Sequence, residues 1–243
     1  MSTGTRAGGR EADTLGLLLP EDWWVVDLTD ERSRRRSVRA LVARQFGRAD
    51  KPSPLQLDVL RELDASTRAA AAARGRLMAF SLMQAGDKPL SASLTTFRVA
   101  APAPSRIPRK REGLVRLAAD LTAAAAPDTE VVVAEGQLGT VVRQVAVERG
   151  PAELDAERMP QLVARYWLDP QDGSGWYQLV FATHLVPLRE GMLALFDAIV
   201  ASVGHDDDPG TPDDDGEPGA GADGAAQSVR LGAGATPAAA GVA

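Results

Sequence analysis

Few residues in this chain have the type and spacing to do chemistry. The loop "DPQDGSGWY" (169–177) crowds two aspartates and two glycines between apolar runs, a composition that suits a cation site or a tight turn. A calcium loop of the EF-hand kind needs oxygen ligands at its first, third and fifth positions and glycine at its sixth. Placing Gly173 sixth puts Leu168 first and Pro170 third, and neither side chain can ligate calcium. The flanking "YWL" and "WYQLVF" are strong strand formers, so the stretch reads as a hairpin loop with Gly173 and Gly175 free to take positive φ.

The other candidates reduce in the same way. There are two histidines. His205 opens an acidic tail, and His184 sits before the last helix with no serine or cysteine near it in sequence, so it reads as a loop histidine. "AEGQLG" (134–139) lacks the order of a phosphate loop, and the β-branched "TVVRQV" follows it instead of a helix. The chain has no cysteine, which removes disulfides, thiolate nucleophiles and Cys-ligated zinc. No catalytic, cofactor-binding or metal-ligating set is expected, and the reading is not an enzyme.

Two features suit contact with another molecule. "RSRRRSVR" (32–39) sets Arg35 and Arg39 one helical turn apart, where guanidinium groups could fork onto carboxylates. The alternative is a solvated helix face. Trp23 and Trp24 are adjacent, so in a strand they point to opposite faces. Either one enters the core while the other meets a partner, or a helix covers both. Trp23, Trp24, Arg35 and Arg39 are therefore the candidate interaction residues.

Charge narrows the partner. The net charge is −6, yet eight acids between Asp206 and Asp223 against Arg230 give the tail −7 and leave the body at +1. A near-neutral body has no long-range field for nucleic acid or an anionic membrane. Neither a recognition-helix motif nor stacked aromatics accompany the arginines, so nucleic acid is not an expected partner. Another protein is, and the acidic tail of a second copy is the simplest such partner. The leading "MSTGTRAGGREADT" is polar, and "LGLLLP" is too short for a signal-peptide core or a membrane span. A cytoplasmic protein without membrane insertion is expected.

The elements that must position these residues follow from periodicity. "WWVVDL" is a strand, and Asp30 caps a helix striped by Val38, Leu41, Val42 and Gln45, which Gly47 ends. A second helix starts near Pro54 and stops at Gly75. "RLMAFSLMQAG" and "LSASLTTFRVA" pair across "GDKP". After the proline-broken "APAPSRIPRKR" (101–111) comes a helix through Leu114, Leu117, Ala118 and Leu121. Four strands ("TEVVVAEG", "TVVRQVAVERG", "PQLVARYWL" and "GWYQLVFAT") precede a last helix lined by Met192, Leu195, Phe196, Ile199 and Val203.

The order βααββαββββα, with short links between strands, implies an α+β domain of one antiparallel sheet and packed helices over residues 14–203. Residues 1–13 and 204–243 read as disordered and dispensable to the fold, because Asp, Gly, Pro and Ala offer little to bury.

"WYQLVFATHLVPLREGMLALFDAIVAS" resembles the closing strand and helix of actinobacterial proteins of the PsbP/LpqN-like type. "AEGQLGTVVRQV" is similar to a strand entry of that family, with Gly139 and Arg143 in matching places, and "LPEDWWVVDL" with "RRRSVRALVARQFG" resembles an N-terminal block of its cytoplasmic members. The resemblance spans roughly 18–203. His184 stands where the family has proline, and a lipoprotein signal and lipobox cysteine are missing. It implies a PsbP-like α/β/α sandwich, no catalytic residues, and, through some relatives, an accessory role in type VII secretion. The leading expectation is a non-catalytic interaction or accessory protein, with a small-molecule or lipid-binding domain as the alternative.

Overall fold

The computed structural model describes residues 15–47, 52–85, 88–99, 110–149, 159–170, 175–205 and 226–231. The chain begins with β1 (Leu15–Pro20) and β2 (Trp23–Asp27), then α1 (Glu31–Phe46) and α2 (Pro54–Ala72). The Asp30 carboxylate accepts from the Ser33 amide at the start of α1. Ser53 and Gln56 form a reciprocal capping box at the start of α2, and proline holds its first turn. At the end of α2 it is Arg74, not Gly75, that takes the left-handed conformation, at φ 65°. Gly75 is needed for a different reason. A Cβ there would lie 2.8 Å from the Ala70 carbonyl oxygen and from a Leu28 methyl.

Next come β3 (Gly75–Ser81), the short pair β4 (Gln84–Ala85) and β5 (Lys88–Pro89), β6 (Ser93–Val99) and α3 (Lys110–Ala123). Then β7 (Glu130–Gly136), β8 (Gly139–Arg149), β9 (Pro160–Leu168) and β10 (Trp176–Thr183) follow one another, before α4 (Arg189–Ala201), β11 (Gly204–His205) and β12 (Ala226–Leu231). Seven strands form one antiparallel sheet in the order β2-β3-β6-β10-β9-β8-β7.

Both faces of this sheet are covered, which is why β9 and β10 are buried almost throughout. Alternate residues separate the two cores. Leu77, Ala79, Val141, Val145, Tyr166 and Phe181 pack toward α4, whereas Met78 packs with α1 and Val142, Trp167 and Trp176 pack with α3. Phe181 anchors the first core: Phe196 of α4 stacks on it at 4.5 Å, and Trp23 and Tyr166 meet it edge-on. The α+β class and the antiparallel sheet with packed helices are as the periodicity implies.

Two strands correct the sequence reading. "LGLLLP" forms β1, whose Leu15, Leu17 and Leu19 are buried, at the centre of a second sheet of order β11-β1-β12. The region after 204 is therefore not disordered throughout. Residues 226–231 pair with all of β1, Leu15 opposite Leu231 through Pro20 opposite Ala226, and bury Val229 and Leu231 in the main core. Composition averaged over forty residues hides a six-residue strand whose backbone bonds and two apolar side chains offset its ordering cost. Residues 1–14, 206–225 and 232–243 lie outside the described residues, as do 101–109.

The links also bear on the opening motifs. Gln137 and Leu138 turn β7 into β8, with Gly139 at φ 104°. Tyr177 pairs with Leu168 across the acidic loop, whose residues 171–174 lie outside the described residues, and Gly175 has φ 105°.

Candidate functional site

The basic stretch on α1 divides into two groups with different work. Val38, Leu41 and Val42 face the core, and Arg34, one turn before Val38, shares their stripe. Arg34 is 2% exposed. Its guanidinium reaches α2, donating to the Asp64 carboxylate at 3.1 Å, the Asp64 carbonyl at 3.2 Å and the Thr67 hydroxyl at 2.9 Å. Grouping it with the surface arginines misreads it: it pins α1 to α2.

Arg32, Arg35, Arg36 and Arg39 occupy the opposite side at helical spacing. With Asp30 and Glu31 they line an open depression of about 530 Å³. Both acids are engaged, Asp30 in capping the helix and Glu31 with Arg35 at 2.8 Å. Among the described residues Arg32, Arg36 and Arg39 have no carboxylate partner. Arg32 lies in the first turn, where the helix dipole disfavours a cation, so helix stability does not account for it. The depression can hold carboxylates or another anion through forked, charge-assisted hydrogen bonds.

The tryptophans do point to opposite faces. Trp23 is 2% exposed in the core beside Phe181, and is thereby corrected as an interaction residue: no partner can reach it. Trp24 is half-buried beneath α1. Its indole N–H donates to the Ser37 hydroxyl at 3.0 Å, and the Arg44 guanidinium lies 5.7 Å above its ring. Of the four expected residues, the structure brings Arg35 and Arg39 together at one surface and uses both tryptophans internally.

A second polar cluster went unread in the sequence. Arg143 on β8 donates to Asp197 of α4 at 2.6 Å and to Glu130 of β7 at 2.8 Å, and Arg189 reaches Glu130 at 3.0 Å. The Tyr166 hydroxyl donates to Asp197 at 2.8 Å. Burial works against the Arg143 charge, but the surrounding carboxylates outweigh it and raise its pKa. Burial, and then Asp197, push the Tyr166 phenol well above its usual range, so it is no proton acceptor. These groups tie α4 to the sheet. Their signal is tertiary, because Glu130, Arg143, Tyr166 and Asp197 come from four elements.

His184 is exposed, with Nδ1 3.3 Å from the Pro160 carbonyl oxygen. Among the described residues no three His, Asp or Glu side chains are grouped to hold a metal ion, and no helix is long and apolar enough to cross a membrane. Neither a family model, nor a curated protein, nor a solved structure matches this chain.

Proposed function

We propose that this is a non-catalytic interaction or accessory protein whose α1 arginine face takes a carboxylate-rich segment of another protein. One observation carries the reading: four exposed guanidinium groups at helical spacing surround one open depression, on a helix held rigidly by Arg34. The nearest sequence of the right chemistry is the chain's own, from Asp206 to Asp223, so a neighbouring copy is among the partners that fit. The resemblance to PsbP/LpqN-like proteins supports a PsbP-like sandwich, the actinobacterial cytoplasm, and a role beside type VII secretion. The alternative is a small-molecule or lipid-binding domain; charged side chains wall this depression, so it suits an anionic group and not an aliphatic chain.

The test is binding of a fluorescent peptide with the sequence of residues 206–217 to the full chain and to Arg35→Glu/Arg39→Glu. The reading expects binding that weakens about tenfold or more in the variant. It also expects binding to fade as screening shortens from about 10 Å at 0.1 M salt to 3 Å at 1 M. Binding unchanged by the charge reversal, or none at low salt, would overturn it.

A further inference from the structure

Among the described residues the two edges of the seven-stranded sheet are treated differently. On β2 the Val25 carbonyl accepts from the Ser37 hydroxyl of α1 at 3.2 Å, and the Trp23 carbonyl accepts from the Gln227 side chain of β12. A helix and a second sheet thus close that edge. β7, at the other end, pairs with β8 in unbroken register from Glu130 opposite Val145 to Gly136 opposite Gly139. In such a ladder alternate residues turn their N–H and C=O groups away from the neighbour. Natural edges are commonly defended by lysine, proline or a bulge. "EVVVAEG" contains neither residue, and its register is continuous. Its charges are Glu130 at the start, which Arg143 and Arg189 neutralise, and the exposed Glu135 near the end. Val133, at the centre of the strand, is 46% exposed.

We infer that β7 is the seam of a homodimer, in which two copies join their sheets antiparallel about Val133. In that register Val133 faces its own counterpart, Val132 faces Ala134, Val131 faces Glu135 and Glu130 faces Gly136. No carboxylate opposes another, and the centre is a β-branched pair of the kind that stabilises sheets. One strand pair is small against the roughly 1,200–2,000 Å² of a stable interface. The remainder comes from α3, which packs on β7 and so is carried beside its counterpart on the same face of the joined sheet. Its exposed side bears Val115, Arg116, Ala119 and Asp120, with Val115 49% exposed. Arg116 and Asp120 have no ion-pair partner among the described residues, and their opposite signs one turn apart are self-complementary under a two-fold axis. The occupant that fits is a second copy of this chain.

Sedimentation of the full chain over a range of concentrations tests this, at 0.1 M and 1 M salt. The seam expects a dimer that persists at high salt, and that the Arg35→Glu/Arg39→Glu variant retains. Val133→Lys, on an exposed site, is expected to weaken it about tenfold or more while circular dichroism stays unchanged. Val115→Glu serves as a second variant if Val133→Lys does not fold. A chain monomeric at every concentration would overturn the seam, as would a dimer indifferent to the substitution that folds. A dimer dissolved by 1 M salt and by the arginine reversal would also overturn it, and would assign association to α1.

Discussion

The Tyr177 hydroxyl donates a 3.0 Å hydrogen bond to the carbonyl oxygen of Leu231, so β12 closes over the same core that α4 closes. The Arg98 guanidinium lies 4.1 Å from the centre of the same tyrosine ring. A segment set among aspartate and glycine is thereby part of the folded unit.

Truncation should expose that dependence. A chain ending at 203 loses the two neighbours of β1 and uncovers Leu15, Leu17 and Leu19. It is expected to melt well below the full chain. Leu231→Ala alone, at a site 2% exposed, should cost about 2–5 kcal/mol in urea titration. A loss below about 1 kcal/mol would mean that β12 does not pack on the core.

Phe196 should be the strongest single anchor in α4. It is fully buried and stacks on Phe181 with the ring planes 20° apart. Phe196→Ala should cost about 3–5 kcal/mol by the same titration, through lost burial and the cavity left behind.

Adjacent arginines on α1 should differ sharply. Arg34→Ala removes a buried guanidinium and leaves the Thr67 hydroxyl and Asp64 short of a partner, an expected loss of about 2–4 kcal/mol. Arg35→Ala breaks only an exposed pair with Glu31 and should cost less than about 0.5 kcal/mol. Equal effects in chemical denaturation would contradict the division of the helix into a pinned side and a free side.

Alkaline pH should destabilise the fold through Tyr166. Its folded pKa is raised by burial and Asp197, whereas an unfolded tyrosine ionises near 10. Below that pH both states keep the proton and the contribution is intact. Above it the unfolded chain releases a proton that the folded chain holds, so stability falls by up to about 1.4 kcal/mol per pH unit. Urea midpoints between about pH 8 and 11 should fall more steeply for the native chain than for Tyr166→Phe. Parallel profiles would show that the phenol titrates normally.

Much of the fold was legible because period reports local structure. Helical spacing located α1 through α4, and apolar runs bounded by turns located β2, β3 and β6 through β10, in the observed order. Parity alone put Trp23 and Trp24 on opposite faces. Even Arg34 left a signal, four residues before Val38 on the apolar stripe. Which tryptophan is buried depended on which face α4 and the second sheet occupy. That Arg34 meets Asp64 and Thr67 depended on how α2 lies on α1. The strands β1 and β12 were hidden for the same reason. Each is short, and each is stable only because a partner some 210 residues away satisfies its backbone and covers its leucines. Local sequence thus determined the elements and the arginine stripe, while long-range pairing decided which ends belong to the fold and which charges remain free for a partner.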